Sequence, residues 1–451
     1  MPAFLTSHRK RILIIALGGC TLLLAVGLLA FAIVSPRLTP WIEGPKFREM
    51  LDRQTSKGLH FTGQYEAIKR TGATSVETAG FQAHAGVKAM KSLEARGVTA
   101  TFNPWGFFLR RWQLDSVHIK RGVVEVQTYV PKPDPPKNRP WYAIFMPDRV
   151  YLREVTCDDA DVTWRMHGEQ SGIFHTQLLI TPYGRDFEYH AKGGELRTDG
   201  FAPEMKVATI HMLITKAILQ VYQFGLETHE GGTIQVTGDA GMRDEKHVDA
   251  KLQFDRVAIA PWLPRELSAG VKGRATGEVT WKAPAQTLEA STGTGEVRVT
   301  DGELDDLPML DYLAAATGRK TLEKTRLDQC EVKFRWDYPK LEITSLDLVS
   351  DGKFALRGQV SVSEGGALTG TLDLGMAPDL LHWLPRAKAD IFTREEGGMI
   401  WTKVRLSGTL SKPENDLVPR LARALKRDPG AAAGLFFRGL GEWLEQKSRG
   451  R

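Results

Sequence analysis

Adjacent carboxylates such as Asp158-Asp159, Asp305-Asp306 and Glu395-Glu396 are the residues whose type and spacing come nearest to chemistry. Two carboxyl groups flanking one bond can divide general-acid and general-base work between them. Each of these pairs falls in a turn-like or helix-starting context, where a solvated turn or cap residue is the expected role. The 11 histidines are scattered without metal-ligand spacing. HExxH is absent, which removes that zinc-protease route, and no Walker A or G-x-G-x-x-G sequence opens a phosphate-binding helix. Ser171 follows Glu169-Gln170 and so does not stand at a G-x-S-x-G elbow. Trp105, Trp112, Trp141, Trp164 and Trp281 could each stack a sugar or a lipid, although packing is the simpler expectation. The chain is therefore expected to be no enzyme, to need no cofactor and to carry no catalytic, cofactor-binding or metal-ligating residue.

Bulk properties agree. Of 451 residues, 25% are charged and 42% apolar, a globular mixture. The net charge of +6 is mild, acidic and basic residues are interleaved, and no RNP motif, zinc-finger spacing or dense basic helix occurs, so nucleic acid is not an expected partner. Cys20 lies in an apolar run, while Cys157 and Cys330 are isolated. An oxidising compartment would allow those two to pair, but unpaired, part-buried thiols are the expectation.

The elements that must position any site are strands. From Glu331 to Pro413, apolar residues recur in steps of two: Val332, Phe334 and Trp336, then Phe354, Leu356, Val360 and Val362, then Leu368, Leu372, Leu374 and Met376, and finally Ile400, Thr402, Val404 and Leu406. Period two places such residues on one face of a pleated sheet. Similar short runs occur earlier, at 98–102, 112–117, 123–127, 150–152, 162–164, 234–236, 252–254, 257–259 and 279–281. Thr198-Asp199-Gly200, Thr300-Asp301-Gly302, Ser350-Asp351-Gly352 and Gly-Gly pairs at 193–194, 231–232 and 365–366 predict tight hairpin turns. His211 to Phe224 fits strand or helix.

The run Ile12–Val34 carries no charge. A helix of that length, at about 1.5 Å per residue, crosses a hydrocarbon core of about 30 Å. His8, Arg9, Lys10 and Arg11 precede it, which predicts a cytoplasmic N-terminus and the bulk of the chain on the other side. Ala30-Phe31-Ala32 would also suit signal-peptide cleavage, but the length of the run favours a retained single-pass anchor. Residues 1–36 are thus read as cytoplasmic tip and anchor. Segment 37–130 holds a short helix (Lys46–Lys57) and a first β region, 131–140 is a proline-rich loop, 141–284 a central β region, 285–414 a C-terminal β region and 415–451 amphipathic helices. Leu307–Thr317 and Pro378–Leu384 read as short helical insertions.

Leu406-Ser-Gly-Thr-Leu-Ser-Lys-Pro413 resembles the closing strand of the AsmA-like family, in which a G-T-L-x-x-P element is followed by helices. Gly295 to Gly302 leading into Glu303-Leu-Asp-Asp-Leu-Pro-Met-Leu310 resembles that family's strand, D-G turn and proline-started helix, and 343–348 and 356–360 continue the likeness. The resemblance covers about residues 270–425. It implies an inner-membrane protein with its bulk in the periplasm, related to proteins of repeating-β-groove type proposed to conduct phospholipids. The expected fold is then mostly β: a transmembrane helix and an elongated, curved antiparallel sheet, groove- or taco-like, with short helical insertions.

A sheet with one apolar face cannot leave it in water. It must fold over on itself, pack against helices, or hold acyl chains at roughly 0.8 kcal/mol per buried methylene. The expected function is lipid binding or transfer in outer-membrane and envelope biogenesis, with phospholipid and a further envelope protein as partners. The alternative is a non-catalytic scaffold or assembly factor for outer-membrane proteins. The expected lipid face comprises Phe334, Trp336, Phe354, Leu356, Val360, Val362, Leu368, Leu372, Leu374, Val404 and Leu406, with Ile12 and Val34 as the limits of the anchor.

Overall fold

The computed structural model describes residues 38–427, except 60, 85–89, 109–110, 127–148, 167–168, 185, 199–201, 216–217, 242–246, 264–267, 285–287, 306–323, 351, 382–388 and 411. The Ile12–Val34 run, the proline-rich loop and the expected helices at Leu307–Thr317 and Ala431–Gln446 lie outside those residues. Among the described residues no helix is long and apolar enough to cross a membrane. The chain is mostly strand and divides into two compact units, Met1–Pro182 and Tyr183–Arg451.

The first unit begins with helix α1 (Pro45–Leu59), which includes the expected Lys46–Lys57 segment and runs one residue past Gly58. Phe47 is buried on its inner side, 4.8 Å from the Trp41 ring. Asp52 Oδ1 accepts a 2.7 Å bond from the Tyr65 backbone N–H, which fixes the helix to the sheet. Strands β1 (Thr62–Tyr65) and β2 (Ile68–Arg70) both pair with β3 (Ser75–His84), which pairs with β4 (Met90–Phe102). A one-turn helix α2 (Trp105–Phe108) leads to β5 (Arg111–Val126), antiparallel to β4. Then β6 (Arg149–Leu152) and β7 (Val155–Met166) line up along β5, and β8 (Glu169–Tyr183) returns against β7. Phe61, Phe81, Ala83 and Ala95 form a buried core here.

Two expectations are corrected in this unit. The sheet is mixed and not wholly antiparallel, because β5 runs parallel to β6 and β7. A parallel pair needs a long crossover, and the chain between Val126 and Arg149 has the length for one. The runs 112–117 and 123–126 belong to one long strand, β5, and are not separate strands.

In the second unit every register pairing is antiparallel. The strands are β9 (Asp186–Lys192), β10 (Glu195–Arg197), β11 (Met205–Ile214), β12 (Ile218–Thr228), β13 (Thr233–Gly241), β14 (Val248–Ala258), β15 (Val271–Ala283) and β16 (Thr292–Asp305). They continue as β17 (Lys324–Leu327), β18 (Gln329–Asp337), β19 (Lys340–Ser350), β20 (Phe354–Val362), β21 (Leu368–Met376), β22 (Arg394–Glu396), β23 (Met399–Gly408) and β24 (Pro413–Asn415). The long strands pair with their neighbours in sequence, β9 with β11, then β11 through β16 in turn, β16 with β18, β18 through β21 in turn, and β21 with β23. His211 to Phe224 resolves as the end of β11 and the start of β12. The Gly-Gly pairs at 231–232 and 365–366 have positive φ, as hairpin turns require, and join the paired strands β12/β13 and β20/β21. Gly193-Gly194 also has positive φ but is not the expected hairpin turn: it interrupts the collinear strands β9 and β10, which pair with β11 in one continuous register.

The apolar alternation changes parity inside several strands, and at each change the strand bulges. In β14, Leu252 and Phe254 are followed by Val257, and the register shifts between Phe254 and Val257, with Arg256 at φ 52°. In β16, Val297 and Val299 give way to Leu304 across Asp301, also at φ 52°. Shifts between Ile343 and Leu346 in β19, and between Val221 and Phe224 in β12, do the same. A bulge absorbs the extra residue, so the apolar side chains on both sides of it keep one face. This corrects two turn and strand boundaries: Thr300-Asp301-Gly302 is a bulge within β16 and not a hairpin turn, and 257–259 begins in β14 and not in a strand of its own.

Deleting Arg256 is predicted to heal the β14 ladder and keep Val257 on its face, at a cost near the ~1 kcal/mol of a lost hydrogen bond. Deleting Thr280, in a regular part of β15, turns Val279 or Trp281 to the wrong side and should cost more than about 1.5–3 kcal/mol. Urea unfolding midpoints of the two deletions compare them directly, and equal midpoints would refute the parity account.

Candidate functional site

Because paired residues in a ladder share a face, the registers of the second unit join into continuous apolar rows. One runs Ile210, Phe224, Val236, Leu252, Val279, Gly295, Phe334, Ile343, Val360, Gly370 and Leu406 from β11 to β23. Beside it run Val207, Leu226, Ile234, Phe254, Gly277, Val297, Val332, Leu346, Gly358, Leu372 and Val404. All eleven residues expected to form the lipid face lie on this one side. Trp336, for example, is in line with Leu341, Val362 and Leu368.

Their exposure separates them. Phe354, Leu368, Leu372, Leu374 and Val404 are buried, whereas Phe334, Trp336, Leu356, Val360, Val362 and Leu406 are half-buried. The cause is local: Leu380, Leu381, Ile391 and Phe392, together with Leu417, Leu421 and Ala424 of helix α3 (Leu417–Lys426), cluster with Phe354, Leu372, Leu374 and Val404. Those four are core. The helix is held there because Asn415 Oδ1 caps the Leu417 and Val418 amides at 3.1 Å, and Arg420 donates to Lys403 O and Thr402 Oγ1 at 2.6 Å.

Toward the middle of the sheet no such cover is present among the described residues. Phe224, Val236, Leu252, Phe254, Val279, Val297, Phe334 and Ile343 are all half-buried, although each sits inside the ladder. Sequence reading placed the face only from Phe334 onward. The earlier runs at 234–236, 252–254 and 279–281 read as strands, and the register places them on the same face. Glycines shape it too: a Cβ on Gly295 would lie 2.5 Å from Phe334 Cζ, and one on Gly277 2.9 Å from Phe254 Cζ, so each ring fills the space a side chain would take on the paired strand. Trp336 is fixed by a 2.8 Å bond from its Nε1 to Ser291 Oγ.

The opposite face is charged. Lys251 pairs with Glu278 at 2.9 Å, Lys333 with Glu296 at 3.3 Å, and Glu303 with Lys324 at 2.8 Å and Lys272 at 3.3 Å. Hydrogen bonds from Lys251 and Gln253 hold the Glu278 carboxyl below the usual carboxylate range, and Lys324 and Lys272 do so for Glu303. Exposed pairs of this kind add little stability, but they keep this side in water.

The residues that suggested chemistry are otherwise engaged. Arg121 ion-pairs with both Asp159 and Asp161, Asp158 lies 3.2 Å from His118 Nε2, and Glu396 pairs with Arg394 at 3.4 Å. Cys157 and Cys330 are both free thiols, and burial pushes each pKa up, away from a reactive thiolate. In the first unit, α1 leaves a crevice of about 280 Å³ against the sheet, lined by Trp41, Phe47, Phe102, Arg111 and Trp112. Arg111 Nε and Trp112 Nε1 are buried there without a hydrogen-bond partner. Comparison with protein-family models, curated proteins and solved structures finds no match to this chain.

Leu421→Ala should lower stability by about 2–5 kcal/mol, as for other buried leucines, by loosening α3 from the face. Val279→Ala, half-buried in the middle of the same row system and outside that cluster, should cost less than half as much. Urea midpoints that fall equally would mean the middle of the face is as well covered as its end.

Proposed function

We propose that this chain is an AsmA-like envelope protein that binds lipid acyl chains along the apolar face of its second unit. The observation that carries the reading is a pair of adjacent apolar rows whose middles stay half-buried, from Phe224 to Val360 in one and from Phe254 to Leu346 in the other, while Val207, Leu226, Ile234, Leu372 and Val404 at the ends of the second are buried. Leaving large apolar side chains part-exposed in continuous rows forgoes stabilisation that a soluble domain ordinarily takes. An acyl chain laid along the row regains it at roughly 0.8 kcal/mol per methylene, without any polar pocket. Phospholipid is the proposed ligand. The Ile12–Val34 run is proposed to anchor the chain in an inner membrane, with a cytoplasmic N-terminus and the bulk in the periplasm. No catalytic step is part of this role, which serves outer-membrane and envelope biogenesis.

Photo-crosslinking in cells tests it. With p-benzoylphenylalanine in place of Phe334 or Phe224, lipid adducts are expected on the full-length chain, and none with the same residue in place of Arg335 on the charged face. Protein adducts without lipid at 334 and 224 would replace this reading with that of a scaffold for outer-membrane proteins. Absence of any face-dependent adduct would also end the lipid reading.

A further inference from the structure

Strands β9 and β11 bring together three side chains that sequence spacing does not connect. In their register His211 faces His190 and Leu213 faces Glu188. Glu188 and His190 are two residues apart on one strand and so share a side, opposite the apolar row through Tyr189 and Met212. His211 Nε2 lies 2.6 Å from Glu188 Oε1, and His190 Nε2 lies 3.8 Å from Glu188 Oε2. One donor atom from each of the three residues falls within 4.8 Å of the others. The two imidazoles stack at 4.3 Å, and the Tyr222 ring on β12 supports His211 at 4.8 Å.

We propose that Glu188, His190 and His211 bind a divalent transition metal of the zinc type, with solvent in the fourth position. Two imidazole nitrogens and a carboxylate oxygen are a donor set suited to such ions. Around a tetrahedral ion with bonds of about 2.0–2.1 Å, donor atoms stand roughly 3.3 Å apart. The observed 2.6 and 3.8 Å separations, to the two different carboxylate oxygens, bracket that value, and the stacked imidazoles turn about their side-chain bonds to bring both nitrogens onto one ion. Two hydrogen-bonded strands hold the Cα positions, which limits the ordering cost of binding. Side-chain exposures of 28–40% leave the cluster open to an ion from solvent.

A second cluster shows what a filled position looks like. Asp159, Asp161 and His175 also converge, but the Arg121 guanidinium ion-pairs with both carboxylates and occupies the place a cation would take. Among the described residues no lysine or arginine forms an ion pair with Glu188, whose carboxyl is held below the usual range chiefly by the His211 hydrogen bond.

The test is equilibrium dialysis of the tag-free full-length chain against micromolar Zn²⁺, followed by metal analysis. One retained zinc per chain is expected. His190→Ala and His211→Ala should each weaken retention by more than the roughly tenfold that even an outer-shell loss costs, while His175→Ala leaves it unchanged. Glu188→Gln, nearly isosteric, keeps the test valid if a histidine variant misfolds by circular dichroism. Wild-type protein that retains no zinc, or variants that retain it as well as the parent, would overturn the assignment.

Discussion

Everything in the larger unit depends on the period of two with which side chains leave a strand. A single residue out of step sends every later side chain to the other face. The chain nevertheless changes parity in β12, β14, β16 and β19, and stays one-faced because each change coincides with a bulge. Bulges also increase local twist, so the device that preserves the apolar face contributes to the curvature of the sheet.

The face so preserved is treated differently along its length. At the C-terminal end, α3 and the segments around Leu380 and Ile391 close over it and make an ordinary core. In the middle, rings reach across glycines of the paired strand and aliphatic side chains remain partly exposed. A protein that needed the rows only for stability would gain by covering them, since each fully buried Val, Leu or Phe contributes about 1.5–3 kcal/mol. The contrast between a sealed end and an unsealed middle is what a reversible apolar ligand requires. The charged face behind it is laced with Lys–Glu pairs across the strands and stays in water.

Much of this was legible from residue order. Regular alternation from Phe354 to Met376 specified β20 and β21, and the helical reading of the segment from 415 onward covers α3. What escaped was non-local or parity-breaking. Val257 and Leu304 are out of step with Phe254 and Val299, and only the register shows that they keep the same face. The parallel pairing of β5 with β7 depends on a crossover whose residues encode no direction. The burial of Leu372 and Val404 depends on elements tens of residues away. The Glu188–His190–His211 cluster needed the β9–β11 register. A Glu-x-His alternation on one strand was the only local trace, and it is too common to single out.

The nearest-neighbour pairing of the larger unit has a consequence for how such a chain can change size. Among the described residues, each strand from β12 to β15 is hydrogen-bonded to its two neighbours in sequence and to no other strand. Excising or duplicating one hairpin there would therefore restore the same pairing, the same direction of travel and the same apolar side, while altering the sheet by two strand spacings, about 10 Å. The first unit, with its parallel β5–β7 pair, has no such freedom at that point. The length of an apolar path could thus be adjusted in increments of one hairpin without redesigning either face.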